Sequence, residues 1–221
     1  MATDSWRRDD GTDWVPGYMV RFDMESGALD TVATYDLVPV RYGDEPYNPF
    51  GPSGHLTATR EGFVYGRTDR AEFVWRSPDG SVKRIVRWFP EARLPTQADL
   101  NAYQEQQRSM LARFNPGMPE EQIDRRLDSM NFPLDQPLPL YVQLRGNTDG
   151  SVWLTEFDSQ SVMEADAQEY IELSPDGGHI RRVVFPEPVQ VLDVTNGRVL
   201  AVVTNEMDVE NVSLFELPER K

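Results

Sequence analysis

Two acidic stretches of the chain carry the side chains best suited to binding a cation. One contains Asp158, Glu164 and Asp166, and the other contains Glu206 and Asp208. Carboxylate oxygens are hard ligands, and Ca²⁺ takes about six to eight oxygen ligands in proteins. The two stretches are therefore a candidate site for Ca²⁺ or another divalent cation. The alternative interpretation is that these carboxylates are simply solvated.

His55 is a candidate general base or metal ligand. It begins a predicted strand directly after a Pro/Gly-rich segment. Imidazole suits proton transfer because its pKa lies near neutral pH. The alternative is a hydrogen-bonded histidine at a strand end. We expect the other histidine, His179, to lie on the surface.

Four further residues are candidates for binding a polar ligand. Tyr141, Gln143 and Arg145 alternate with apolar residues, so on a strand they are expected to share one face. Tyr47 lies in the Pro/Gly-rich loop 44–54 and is a candidate aromatic contact at the edge of such a site. The alternative is that these side chains pack between neighbouring sheets.

Composition removes several classes of function. The 221 residues include 22 Lys and Arg against 37 Asp and Glu, giving a formal charge of −15, which disfavours nucleic acid and anionic membrane surfaces as partners. Cysteine is absent, which excludes disulfides and thiolate chemistry. The sequence has no P-loop, no H-E-x-x-H and no G-x-S-x-G motif. The first residues do not resemble a signal peptide, so a cytoplasmic location is expected.

Two kinds of β-hairpin alternate along the chain. The hairpins at 72–88 and 169–184 both turn through Ser-Pro-Asp-Gly, and a looser copy occupies 18–34. A second kind recurs at 55–66, 140–154 and 189–203. Two successive hairpins make a four-stranded antiparallel sheet, and radial repetition of such sheets is a β-propeller. The chain is predicted to be one all-β domain, 1–221, forming a partial propeller of about three to three and a half four-stranded blades.

The blade boundaries follow from the hairpins. They predict a partial blade near 17–35, full blades at 54–88 and 138–185, and a last blade at 188–217 with three clear strands. In this arrangement the long connections 35–54, 89–137, 157–168 and 204–211 all lie at one end of the sheets, here called the long-connection rim. Because loops on a rigid scaffold usually carry function, a site is expected there.

A helical insertion interrupts the repeat at 93–133. Thr96 is a predicted N-cap, with Asp99 in the first turn of a helix that runs to Phe114. Pro119 opens a second predicted helix that ends near residue 130, with acidic residues at its N-terminus. The pattern predicts an αα-hairpin, and Tyr103 and Phe114 are expected on its buried face.

The closing stretch 190–217 resembles the last blade of bacterial six-bladed, NHL/TolB-like propellers. Pro-Leu-Pro-Leu-Tyr at 137–141 and Gly-Ser-Val-Trp at 150–153 are similar to the inner hairpin of such blades. The resemblance implies that the chain corresponds to the C-terminal half of a larger propeller. Propeller hydrolases of the paraoxonase and gluconolactonase type hold a central Ca²⁺ and cleave esters, lactones or phosphotriesters.

Two functions follow as hypotheses. The first is a binding or scaffold module that pairs with itself to complete a ring, with a ligand pocket on the long-connection rim. The second is a metal-dependent hydrolase of esters, lactones or phosphotriesters, with His55 as general base. A third possibility is a piece of a longer exported protein without activity of its own.

Overall fold

The protein is described here from a computed structural model covering residues 6–7, 13–40, 48–130, 132–158, 167–178, 180–205, 207 and 209–218. The described chain is mostly antiparallel β-structure with two helices. Within each sheet every strand pairs with its neighbour in sequence, so the sheets are simple meanders. The all-β class and the antiparallel pairing are as predicted.

The first sheet is a long hairpin with a short added strand. Its strands are β1 (Trp6–Arg7), β2 (Asp13–Phe22) and β3 (Leu29–Pro39). In the β2–β3 turn, Asp23 Oδ1 accepts the N–H groups of Glu25 and Ser26, both at 2.9 Å. Gly27 follows at φ +69°, the left-handed region that favours glycine. The hairpin predicted at 18–34 is therefore present and extends further at both ends.

The second sheet has four strands in sequence order. They are β4 (Gly54–Thr59), β5 (Gly62–Arg67), β6 (Glu72–Arg76) and β7 (Val82–Arg87). The β6–β7 turn uses Gly80 at φ +85°. An added Cβ on Gly80 would lie 2.1 Å from the Val32 carbonyl oxygen of β3, so this turn packs directly on the first sheet. The four-stranded sheet predicted at 54–88 is confirmed.

The remaining strands form one six-stranded sheet, whereas two separate blades were predicted at 138–185 and 188–217. The strands are β8 (Tyr141–Gly146), β9 (Val152–Glu156), β10 (Ala167–Leu173), β11 (Ile180–Thr195), β12 (Arg198–Thr204) and β13 (Glu210–Glu216).

The two predicted units are joined because β11 does not break. Its first half pairs with β10, and from Gln190 onward it pairs with β12. Pro186 and Pro188 stand between Val184 and Val189, in the irregular stretch where the pairing with β10 shifts its register. Proline lacks an N–H but suits extended backbone, so it interrupts the ladder bonds without ending the strand.

The main core lies between the second sheet and β8–β10. Phe73 and Trp75 of the second sheet pack in one cluster with Tyr141, Leu144 and Leu154, and each of these five side chains is at most 8% exposed. Trp153, between Val152 and Leu154 on β9, belongs to a second cluster with β10–β12. Successive strand residues face opposite sides, so β9 is covered on both faces.

The insertion folds as predicted into α1 (Gln97–Phe114) and α2 (Glu120–Asp128). Thr96 and Asp99 form a reciprocal capping box at the start of α1. Its buried residues are Asp99, Tyr103 and Gln107, which are four residues apart and share one face. Phe114 is 73% exposed, so its predicted burial is wrong. In the described part of the chain, neither helix is long and apolar enough to cross a bilayer.

Candidate functional site

Four aromatic rings meet at the long-connection rim. Phe50 lies 5.4 Å from Tyr103, 5.6 Å from Phe132 and 5.6 Å from Phe157, measured between ring centroids. The pairs are edge-to-face, the arrangement that aromatic quadrupoles favour. Phe50, the insertion and Phe157 belong to three different long connections. These connections therefore come together at one end of the sheets, as the alternation of strands predicts.

A cleft of about 440 Å³ opens beside this aromatic cluster. We call it the rim cleft. Its lining contains three aromatic residues, two leucines, four prolines and two polar residues, and its floor and edge are formed by the segments on either side of the helical insertion. The aromatic residues are Phe50, Trp88 and Phe89; the prolines are Pro52, Pro90, Pro137 and Pro139; the polar residues are Asp69 and Gln136.

Backbone hydrogen bonds fix the walls of the rim cleft. The Leu138 N–H donates to the Arg93 carbonyl at 3.0 Å, and the Leu140 N–H donates to the Thr68 carbonyl at 2.7 Å. Pro137 and Pro139, on either side of Leu138, have no N–H to satisfy. The wall is therefore anchored through the leucines and rigid at the prolines, so the cleft is formed before any ligand binds.

A buried arginine stands behind Asp69. Arg67 is 5% exposed and contacts two carboxylates: its Nη1 is 3.1 Å from Asp36 Oδ2, and its Nε is 2.9 Å from Asp69 Oδ1. Its guanidinium carbon also lies 4.0 Å from the centroid of the Trp14 ring. Burial opposes the charge on Arg67, but Asp69 and Asp36 raise its pKa above the ordinary value. Arg67 thus links the first sheet to the rim cleft.

His55 is on β4 of the second sheet, and its ring lies beside Tyr141 of β8. Its Nε2 is 3.0 Å from Ser53 Oγ, and its ring centroid is 5.7 Å from that of Tyr141. Burial lowers the pKa of His55 below its ordinary value because the charged imidazolium loses solvation. The ring is therefore neutral at physiological pH and can accept a proton, the state a general base needs.

The three predicted ligand residues of β8 do not share a face. A register shift between Tyr141 and Gln143 rotates the strand, so Tyr141 points into the core with Leu144 while Gln143 is exposed. Burial raises the pKa of the Tyr141 hydroxyl, which has no hydrogen-bond partner among the described residues. Arg145 donates from Nη2 to the Leu192 carbonyl of β11. None of the three lines the rim cleft.

Most of the predicted metal ligands lie outside the described residues. Glu164, Asp166, Glu206 and Asp208 belong to the segments that the structure does not describe, as does Tyr47. Asp158 is described, and its charge helps Asp99 to raise the pKa of Arg93. Within the described ranges no group of three or more His, Asp or Glu side chains is placed to hold a metal ion.

The sequence did not identify the rim cleft. The residues that could have indicated it flank the insertion. Trp88-Phe89-Pro90 precede the insertion, and Pro137-Leu138-Pro139 follow it. Paired proline–aromatic segments flanking an insertion must come together when the insertion folds back on itself. Treating the insertion as a unit with two close ends would have placed these residues in one site.

Comparison of the chain with family models, curated proteins and solved structures gives no match. The resemblance to six-bladed propellers therefore rests on the stretches 137–141, 150–153 and 190–217 alone and stays a prediction.

Proposed function

We propose that the protein is a half-propeller binding module that pairs with a second copy of itself to complete a ring, and that it binds a ligand in the rim cleft. One observation carries the self-association: the outer faces of the first and last sheets are both apolar and exposed. The face of the second sheet that packs on β8–β10 shows what normally covers such a face, namely another sheet.

A repeated contact between sheets supports a radial arrangement. Gly80 in the β6–β7 turn approaches Val32 of β3, and Gly177 in the β10–β11 turn would place a Cβ 2.3 Å from Val86 Cγ2 of β7. Each Ser-Pro-Asp-Gly turn thus packs on the last strand of the preceding sheet. The same relation between successive units, applied again, generates the ring of a propeller.

The first strand of the last sheet also contacts the first strand of the second sheet. The Gly146 N–H of β8 donates to Thr57 Oγ1 of β4 at 2.7 Å. First strands that neighbour one another are what surround the channel in a propeller, so this contact favours that arrangement.

The outer faces expose several large apolar side chains. On the first sheet, Val20 is 52% and Phe22 is 59% exposed, next to Leu29 at 67%. On the last sheet, Val212 is 68% and Leu214 is 59% exposed. Contiguous apolar surface of this kind marks an interaction site. A second copy fits because it supplies the missing neighbour at both ends at once, under two-fold symmetry.

Solution mass tests this proposal. Light scattering coupled to size exclusion is expected to give twice the 25.3 kDa chain mass for the full chain. Val20→Lys and Val212→Lys each place a charge on one outer face and are expected to give monomers. Phe114→Lys, on an exposed position of α1, is the matched control and leaves the mass unchanged. A monomeric wild-type chain contradicts the proposal.

The two lysine variants also determine how the copies meet. Ring completion joins the first sheet of one copy to the last sheet of the other, so both variants lose association. If instead the first sheet packed on the first sheet of the partner, Val212→Lys would remain a dimer. That outcome contradicts ring completion but leaves self-association intact.

The second candidate function is hydrolysis of an ester, lactone or phosphotriester. The observation that favours it is the neutral His55 imidazole within hydrogen-bond distance of the Ser53 hydroxyl, the pairing that activates a nucleophile. p-Nitrophenyl acetate hydrolysis by the wild type, with and without EDTA, tests it. His55→Gln and Ser53→Ala are both expected to abolish activity. Activity that survives both variants excludes this site.

A further inference from the structure

We infer that the rim cleft binds a neutral, largely apolar small molecule, an aryl or short alkyl body with one uncharged hydrogen-bonding group, in preference to an ion of either sign. This inference rests on the ligand-binding part of the proposed function and names the class of ligand. It is independent of whether the chain forms a dimer.

The apolar body of the ligand follows from the walls. Phe50 and Leu138 are each 4% exposed, and they line the cleft together with Leu140 and the four prolines. A volume of about 440 Å³ lies within the range of small-molecule sites, about 300 to 1,000 Å³, whose walls are mostly apolar. Burial of a phenyl or short alkyl group here removes apolar surface from water on both partners.

The charged side chain of the lining is already paired. Among the described lining residues Asp69 alone is ionisable, and both of its carboxylate oxygens accept hydrogen bonds from Arg67. Oδ1 accepts from Nε at 2.9 Å, and Oδ2 accepts from Nη2 at 2.5 Å. Two parallel bonds of this kind make a strong, geometrically fixed pair. A ligand cation therefore meets a carboxylate whose charge is already matched by a guanidinium.

The guanidinium does not offer a site to an anion either. Arg67 is 5% exposed, and it lies behind Asp69 with Nη1 donating to Asp36 Oδ2 at 3.1 Å. Its Nε and Nη2 donate to Asp69. An ionised ligand group that enters the cleft would lose hydration without gaining an unpaired charged partner in the described lining, and that loss opposes binding.

The backbone of the walls is also closed to an ion. The N–H groups of Leu138, Leu140 and Trp88 donate to backbone carbonyls, and the four prolines have no N–H. Gln136 is the uncharged polar residue of the described lining, and its exposed side-chain amide carries both donors and an acceptor. One neutral polar group on the ligand can therefore be bonded, whereas a full charge has no matching charge.

Three matched probes test the charge class on the full chain by isothermal titration calorimetry: 3-phenylpropan-1-ol, 3-phenylpropylammonium and 3-phenylpropanoate. They share one apolar body and differ in charge. Salt at about 0.15 M screens the distant surface charges over about 8 Å. We expect the alcohol to bind at least about tenfold more tightly than either ion. An ion that binds as tightly as the alcohol, or no binding of any probe, overturns the inference.

A pair of alanine substitutions places the alcohol in the rim cleft. Ala92 is exposed and lines the cleft, so Ala92→Trp fills part of the volume without disturbing the core. Ala98 is exposed on α1 and lies outside the described lining, so Ala98→Trp is the matched control. We expect Ala92→Trp to weaken alcohol binding at least about tenfold and Ala98→Trp to change it less than about threefold. Equal effects of the two variants overturn the assignment to the cleft.

An added charge tests whether the neutral lining sets the preference. Gln136→Glu places an unpaired carboxylate in the lining, and Gln97→Glu adds the same charge at an exposed position of α1 outside it. The ratio of ammonium affinity to alcohol affinity is expected to rise at least about threefold in Gln136→Glu and to stay unchanged in Gln97→Glu. An unchanged ratio in Gln136→Glu, or an equal rise in both variants, overturns the inference.

The probe results also separate this inference from the proposed function. An ion that binds as tightly as the alcohol, with both lost in Ala92→Trp, overturns the neutral class but leaves the rim cleft as a ligand site. Failure of all three probes removes the support for the ligand-binding part of the proposed function as well.

Discussion

The interface between the second sheet and β8–β10 and the outer faces of the first and last sheets are built from the same kind of strand. In the interface, Phe73 and Leu154 are fully buried, and Trp75 is 1% exposed. On the outer faces, Phe22 and Val212 are more than half exposed although they occupy equivalent alternating positions. The sequence pattern is thus the same in both regions, and what differs is whether a neighbouring sheet is present.

The comparison separates two meanings of an apolar strand face. In the interface, burial supplies the free energy that folds the chain, at about 25 cal/mol for each Å² of apolar surface removed from water. On an outer face the same residues contribute little to folding until a partner covers them. Substitutions in the two regions should therefore affect different measurements, unfolding in one case and association in the other.

Truncation of Trp75 is expected to have the largest effect. Trp75→Ala leaves a cavity between two sheets, and loss of a buried aromatic side chain costs about 3 to 5 kcal/mol. Urea unfolding followed by circular dichroism measures the loss. Phe114→Ala, on an exposed helix position away from both sheet faces, is expected to stay within about 0.5 kcal/mol of the wild type. Similar costs for both would mean that the sheets do not form a shared core.

A pair of glycines measures the close approach of neighbouring sheets. Gly80 at φ +85° and Gly27 at φ +69° both occupy hairpin turns, so alanine at either position costs about 1 to 2 kcal/mol of backbone strain. Only Gly80 faces another sheet, and nothing lies within 4 Å of a Cβ on Gly27. Gly80→Ala is therefore expected to cost about 1 to 3 kcal/mol more than Gly27→Ala in urea unfolding. Equal costs would place the β6–β7 turn away from the first sheet.

The sequence predicted the local elements of this fold better than their assembly. The turns at Ser77–Gly80 and Ser174–Gly177 and the cap at Thr96 are specified by residues close in the chain, so their chemistry could be recognised directly. The continuity of β11 could not be recognised from the sequence, because proline at 186 and 188 is compatible with both a break and an uninterrupted strand.

The candidate site depended on contacts that no local pattern encodes. The bulge after Tyr141 turns that side chain into the core, away from Gln143. Strand alternation alone predicts that Tyr141 and Gln143 share one face. The pairing of Arg67 with Asp36 joins residues from different sheets. Tertiary packing determines both contacts. The sequence analysis therefore chose the polar residues of β8 as ligand candidates and did not identify Asp69 as part of the rim cleft.

The pH dependence of stability probes whether the interface excludes water. The His55 ring lies beside Tyr141 of that interface, and burial lowers the pKa of His55 below its ordinary value of 6.5. As the pH falls through about 6.5, the unfolded chain binds a proton that the folded chain does not, so the free energy of unfolding decreases. Between about pH 7.5 and pH 5.5 the loss of stability due to His55 is at most about 1.4 kcal/mol, the limit for a proton that only the unfolded chain binds.

His55→Gln isolates this contribution because glutamine does not titrate and can still bond Ser53. Urea unfolding of both proteins across the same pH range gives the comparison, and carboxylates that lose stability in acid do so equally in the two. The wild type is expected to lose more stability than the variant as the pH falls. Parallel pH profiles would show that water reaches His55, and the interface would then resemble the outer faces in solvation despite its packing.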